Sequence, residues 1–422
     1  MSALPLSLLP DNATVGADGH LHLAGVDTLE LAAEFGTPLF VYDEDHLRAR
    51  CREALEVFGD GVAYAAKAFL CKAMAALAHD EGMWLDVSTG GEYHVARAAG
   101  VPADRLVLHG NNKSDDELRM ALEEGVGRVV VDSFDEFDRL DALHEEGLPS
   151  APALVRVTPG VEAHTHEFIR TGQDDSKFGF GLSSGAAAEA VARARACSAV
   201  DLRGLHTHIG SQIFLAESFT RALDVLVPFF NQLDLPELSV GGGLGVAYVE
   251  GETAPTITEW GDTLLQACQK AGIAARVTAE PGRAIAAGAG ITIYTVGTIK
   301  EIPGVRTYVS VDGGMSDNPR PVLYGSGYET FLPRAVQAPR TRRITVVGKH
   351  CESGDRLVTD GRVPDDLRVG DLLCTPVTGA YGHSMGSNYN KVRRPAVVFV
   401  RDGSARVVVR RETYQDLLRQ DL

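Results

Sequence analysis

Between residues 62 and 279, eight short runs of apolar and β-branched residues alternate with segments of helical period, and few folds accommodate that rhythm. The strand candidates are 62–67, 84–87, 106–108, 128–131, 154–157, 204–208, 237–240 and 276–279. Helix candidates at 72–80, 91–99, 115–124, 134–145, 186–196, 217–232 and 258–271 lie between them, two of them opened by the caps Ser114 and Ser133. Strand and helix repeated in this order give parallel pairing with right-handed crossovers. Eight such units close into a (β/α)8 TIM barrel, with an open doubly wound sheet as the alternative.

The texture changes after Gly290. Segments 291–299, 307–311, 343–347, 372–376, 396–401 and 404–410 read as strands joined mostly by turns, and only 412–418 reads as helical. A C-terminal all-β domain, a sandwich or barrel, is expected over 291–422. Residues 1–37, with a hairpin signal at Ala17-Asp18-Gly19-His20 and a helical stretch at 27–35, are expected to add a strand to it. The barrel domain is drawn at 38–290.

The chain has 422 residues, 45% of them hydrophobic, and a formal charge of -17, which disfavours nucleic acid and anionic membranes as partners. No basic segment followed by an apolar one opens the chain, and no apolar run reaches the roughly 18 residues that span a bilayer, so the expected location is cytoplasmic. Six scattered cysteines contain no CxxC pair, and neither a disulfide framework nor a zinc site is expected.

A barrel collects its active site at the C-terminal ends of its strands. Polar residues fall there: Lys67 ends the first run, Asp86 lies near the end of the second, Arg156 near the end of the fifth and His208 ends the sixth. Gly241-Gly242-Gly243 follows the seventh and Glu280 the eighth. A lysine where an apolar strand stops is expected to be partly buried, which lowers its pKa and frees the amine for a Schiff base with an aldehyde cofactor. The competing reading is a lysine that buries its stem and extends its ammonium into water.

The bare backbone of Gly241-Gly242-Gly243 can approach an anion and cradle a phosphate, although a flexible turn also explains three glycines. In Glu280-Pro281-Gly282-Arg283, a carboxylate set against a pyridine nitrogen would keep it protonated. Gly282 offers a further amide, and Arg283 a planar fork for phosphate or a substrate carboxylate. The competitor there is a structural Glu–Arg pair. His206-Thr207-His208-Ile209-Gly210-Ser211 places two histidines on one strand face, which also describes a metal pair. Without further ligands at matching spacing, no metal is expected; His208 is read as stacking on a cofactor ring, with Ser211 toward its phosphate and a core histidine as the alternative.

Tyr64-Ala65-Ala66-Lys67-Ala68, His206 through Gln212, Gly241-Gly242-Gly243, Glu280-Pro281-Gly282-Arg283, Cys351-Glu352-Ser353-Gly354-Asp355 and Ala380-Tyr381 together resemble the pyridoxal-phosphate-dependent decarboxylases of the alanine-racemase-type fold, and within them the branch acting on diaminopimelate. The resemblance covers nearly the whole chain in order. It implies pyridoxal 5'-phosphate on Lys67, with Asp86 and Arg156 near the ring, His208 on its face and Glu280 at its nitrogen. Ser211, the glycines through Gly243, Gly282, Arg283 and Tyr381 would bind its phosphate.

For the substrate, the resemblance implies that Arg283, Arg320, Tyr324 and Tyr381 contact meso-2,6-diaminopimelate, with Arg283, Arg320 and Tyr324 on its distal carboxylate. Glu352 would read the distal ammonium, and Cys351 would return a proton after carbon dioxide leaves, giving L-lysine. It further implies a homodimer with active sites shared across the interface. Decarboxylation of another basic amino acid, or cofactor binding without catalysis, are the alternatives. Loop 162–175 is long enough to be a candidate lid.

Overall fold

The computed structural model describes residues 3–161, 175–214 and 216–422. The proposed lid, 162–175, lies outside the described residues except for its last position. Two compact units are present: Arg50–Val246 with Ala254–Ala284, and Met1–Ala49 with Ala247–Thr253 and Ile285–Leu422.

The first unit is the barrel. Its eight strands are Ala63–Ala65, Trp84–Val87, Leu106–Leu108, Arg128–Val131, Ala151–Thr158, Val200–His206, Glu237–Ser239 and Arg276–Thr278, paired in parallel in sequence order. The first and eighth strands meet through Ala63 N–H to Ala279 O at 2.9 Å and Ala65 N–H to Pro281 O at 3.2 Å, so the sheet closes rather than staying open. Strands covered on both faces read as continuous apolar runs, which is why all eight stand out in the sequence. Ala63, Trp84, Val107, Val130 and Leu154, one from each of the first five strands, form a buried cluster.

The helices start where their caps direct. Ser114 and Glu117 form a capping box at Asp115–Glu124, Thr256 and Glu259 another at Ile257–Lys270, and Thr89 and Ser133 accept amides at the next two starts. Each such cap contributes about 1 kcal/mol. A further short strand, Phe180–Gly181, extends beside the end of the fifth barrel strand.

The second unit is a mostly antiparallel eight-stranded sheet. Its main path runs Arg356–Val363, Arg342–Val347, Arg306–Val311, Gly290–Ile302, Leu39–Asp43, Ala396–Arg401 and Ser404–Val409, with Leu372–Thr375 paired to Gly290–Ile302. Two expectations change here. The residues before 38 form their own three-stranded sheet, Ala13–Val15, Leu21–Leu23 and Val26–Asp27; the strand that enters the large sheet is Leu39–Asp43. It is hydrogen-bonded on both edges and wholly buried, so it belongs with this unit although the barrel domain was drawn from residue 38. The C-terminal helix expected at 412–418 is reduced to a 3-10 turn, Asp416–Leu418, and the one α-helix after 290 is the short Arg320–Tyr324.

Candidate active site

In the barrel unit the rim residues converge. The first strand ends at Ala65 and passes into a 3-10 turn, Ala66–Ala68, that carries Lys67. The buried Tyr64 hydroxyl donates to Phe69 O at 2.7 Å and braces that turn. Ala65, Ala66, Ala68 and Phe69 are buried and fill the core, whereas Lys67 itself is exposed. Its charge is nonetheless felt by His208 and Glu92.

Glu280 sits at the centre. Its Oε1 accepts from Ser239 Oγ at 3.0 Å, and its Oε2 lies 3.0 Å from His206 Nε2. His109 Nε2 stands 3.3 Å from Oε1. Burial is the largest influence and raises the pKa of Glu280, but His206 and His109 more than reverse it and hold the carboxyl well below the usual range. Arg156, buried, lies 3.4 Å from Asp132 and 4.3 Å over the ring of Phe178.

His206 and His208 do not share one strand face as the sequence suggested. His206 ends the sixth strand, fully buried and turned to Glu280, whereas His208 lies two residues beyond the strand. Its Nδ1 accepts the Gly242 N–H at 3.1 Å, so that nitrogen carries no proton. Desolvation, followed by Lys67 and Arg156, drives its pKa well below the ordinary value, and the ring is neutral.

The glycine run is required by close packing. A Cβ on Gly242 would lie 2.3 Å from Glu280 O, and one on Gly243, at φ +111°, 2.3 Å from Gly210 O. On Gly282 it would meet Ala65 at 2.9 Å. Beside these loops, Arg283 Nη2 donates to Ser211 Oγ at 2.8 Å. An ionised buried acid, a neutral ring, bare backbone and an Arg–Ser pair together fit a protonated pyridine bearing a phosphate. His109, His206 and Glu280 also have the mutual spacing of metal ligands, but both oxygens of Glu280 already have hydrogen-bond partners.

The β unit holds a second set. Arg320 opens the helix Arg320–Tyr324 and is buried; its Nη1 donates to Tyr328 Oη at 2.5 Å and its guanidinium lies 4.3 Å from the Tyr248 ring centre. Burial opposes its charge, but Tyr328 and Tyr248 leave its pKa raised, with a further contribution from Tyr381. Tyr324 is half-buried one turn after Arg320, and Tyr381 is half-buried with a left-handed φ of 62°. Cys351 and Glu352 are exposed. The Cys351 N–H donates to Asn390 Oδ1 at 3.0 Å. The preceding His350 and the following Asp355 are buried, so the loop is anchored beneath while its tip is presented outward.

His109 and Asp132 were not singled out from the sequence. They directly follow the third and fourth barrel strands, and the same strand-end rule that located Asp86 and Glu280 points to them. Ser239, ending the seventh strand, is a third such residue.

Residues 44–287 match the family model described as "Pyridoxal-dependent decarboxylase, pyridoxal binding domain". The chain is 45% identical to the diaminopimelate decarboxylase of Bacillus subtilis over 96% of this chain and 95% of that one. It is 47% identical to the protein of that name from Mycobacterium tuberculosis, over 97% and 96%. The structure resembles that of the diaminopimelate decarboxylase from M. jannaschii in complex with L-lysine, with a TM-score of 0.89, 31% identity and 98% coverage of both chains. It also resembles a lysine/ornithine decarboxylase from Vibrio vulnificus, with a TM-score of 0.75 and 22% identity over 89% and 97% of the two chains, a likeness of fold.

Proposed function

The chain belongs to the pyridoxal-dependent decarboxylases, in their diaminopimelate branch, and from that premise we infer that it converts meso-2,6-diaminopimelate to L-lysine and carbon dioxide with pyridoxal 5'-phosphate as cofactor. It is an enzyme of lysine biosynthesis. The observation that carries the chemistry is the buried Glu280 carboxylate, held ionised between His206, His109 and Ser239 at the barrel rim. When bound, the cofactor supplies a sink for the electron pair that carbon dioxide leaves behind.

The chain's own groups divide the remaining work. Lys67 holds the cofactor through its amine. Glu280 keeps a proton on the ring nitrogen, and the neutral ring of His208 lies on the ring face without adding a second positive charge. Asp86 and Arg156 flank the ring, and the amides of Gly241, Gly242, Gly243 and Gly282, with Ser211, Arg283 and Tyr381, receive the phosphate. Most cofactor contacts are thus assigned to barrel residues, and most contacts to the far end of the substrate to residues of the β unit.

Arg320 supports the choice of substrate. Among the described residues no carboxylate pairs with this buried guanidinium; its partners are tyrosines, which leaves its charge for a carboxylate brought from outside. Arg283, Tyr324 and Tyr381 assist it, Glu352 takes the distal ammonium, and Cys351 delivers a proton to the carbon that has lost its carboxylate. The exposure of Cys351 and Glu352 fits their completing the site of a second copy in a homodimer. No described helix is long and apolar enough to cross a membrane, and the cytoplasm is the proposed location.

Purified protein loaded with pyridoxal phosphate is given meso-diaminopimelate, ornithine, arginine or lysine, and carbon dioxide and amine products are measured. Lysine from diaminopimelate alone is expected; equal kcat/KM on ornithine would remove the substrate assignment. In the same assay, mixed Lys67→Ala and Cys351→Ala chains should recover activity that neither has alone. Failure to recover it in verified mixed dimers would refute the shared site.

A further inference from the structure

His109 touches Glu280 but has no contact assigned to the substrate or the cofactor. It follows the third barrel strand, is buried, and packs edge-on against His206 with ring centres 4.9 Å apart. Its Nε2 lies 3.3 Å from Glu280 Oε1 and 3.6 Å from Asp86 Oδ1, within ion-pair reach of both and aligned as a hydrogen bond with neither. It is therefore wedged between two carboxyl groups that come from opposite parts of the strand order, the second and the eighth strands.

We propose that His109 is a positioning residue whose positive charge lets Asp86 and Glu280 coexist as carboxylates, so that Glu280 meets the cofactor ring nitrogen as an anion. The proposal rests on the assignment of Glu280 to that nitrogen. Its logic is a charge count. Two carboxylates in a buried site without a cation favour a proton on one of them. A protonated Glu280 would have no charge to offer a pyridinium.

Lys67 and Arg156 are the other nearby cations, but Lys67 is assigned to the cofactor and Arg156 is shared with Asp132, 3.4 Å away. With one imidazolium between them, Asp86 and Glu280 leave a net charge of about -1, which a protonated pyridine balances. The groups facing His109 agree on this. Burial is the largest influence and disfavours its charge, but Asp86 and then Glu280 outweigh it and raise the ring's pKa, with Arg156 opposing. His206 is pushed the other way, first by burial and then by His109 and Arg156 against the pull of Glu280, so the two rings divide into one cation and one neutral donor. Glu92, half-buried on the helix Gly90–Ala98 after the second strand, is a further acid near Asp86, and burial first and Asp86 with it raise its pKa against His109 and Lys67.

The test compares the affinity of the full chain for pyridoxal phosphate with that for 1-deazapyridoxal phosphate, in which carbon replaces the ring nitrogen. His109→Gln should weaken pyridoxal phosphate binding about tenfold, the equivalent of one pK unit, and leave the carbon analogue within about twofold. Equal loss for both ligands would mean that His109 only fills space, and no loss for either would also overturn the proposal. His109→Asn, read in the same way, serves if the glutamine variant fails to fold. Glu280→Gln reports the underlying assignment separately: if the wild-type chain and this variant both bind the two ligands alike, it is the role of Glu280 that fails.

Discussion

At the barrel rim, buried carboxylates have cations beside them: Asp132 faces Arg156, and Glu280 faces His109 and the neutral donor His206. Around Arg320 in the β unit the arrangement differs, although elsewhere in that unit buried ions are paired, as Arg340 is with Glu329 and Asp371 with Arg334. Asp317 and Asp355 are buried among backbone amides and near one another, and both pKa values are raised by burial first, while the buried cation Arg320 has tyrosines for partners. One region fixes its ions against each other before anything binds. The other leaves the cation Arg320 open and raises the pKa of Asp317 and Asp355 by burial. A cofactor that stays in place through every turnover is served by the first design, and a substrate that enters with two carboxylates and leaves as lysine with one by the second, because a guanidinium already tied to a protein carboxylate would have to release it each time.

The sharpest way to break this contrast is to neutralise the fixed ion. Glu280→Gln keeps the shape and one of the two acceptor oxygens but removes the charge on which the ring-nitrogen proton depends, and kcat should fall by roughly a thousandfold, the scale of losing a preorganised electrostatic partner. Cofactor absorbance should persist, since Lys67 is untouched. A loss of less than about tenfold would mean that the rim's ion set is structural.

Removing the open cation should cost less and register elsewhere. Arg320→Ala is expected to lower kcat/KM for diaminopimelate about a hundredfold, as for a charge-assisted pair worth roughly 3 kcal/mol, with pyridoxal phosphate affinity unchanged. Arg320→Lys should recover only part, since a point charge cannot replace the planar fork. Parallel loss of cofactor affinity and turnover in Arg320→Ala would erase the division of labour between the two regions.

The same contrast explains what could be read in advance. The barrel was legible because its eight strands are continuous apolar runs, and the rim because strand ends index it; applying that index to every strand would have yielded His109 and Asp132 as well. Arg356–Val363 was missed because its alternating burial and its internal Asp360-Gly361 look like a turn between polar residues. Leu39–Asp43 is plainly a strand in composition, but which sheet it joins depends on partners near residues 290 and 396, far along the chain. Lys67 is exposed because three residues after the strand adopt a 3-10 turn, a local choice that no period reports. The acids of the β unit were the least legible: Asp317 acquires its surroundings from Gly314, Ser316 and the distant Asp355, which only folding brings together.

Asp317 acts on stability and not on turnover, and its sign is the cleanest. It is 1% exposed, and burial, followed in the same direction by Asp312 and Asp355 and opposed by the Gly314 amide and Ser316, pushes its pKa up to about 7 from an ordinary 3.8. Between those values the folded chain holds a proton that the unfolded chain has released, so the stabilisation is complete below the lower value and is lost as pH rises toward the upper one. A shift of that size corresponds to a loss of roughly 4 kcal/mol across the window. Asp317→Asn, a permanent mimic of the protonated acid, should lack this slope: chemical-denaturation midpoints of wild type and variant should converge near pH 4.5 and separate toward pH 7.5, with the variant the more stable. Parallel curves would show that the acid is ionised throughout, and the β unit would then hold its carboxylates as the barrel does.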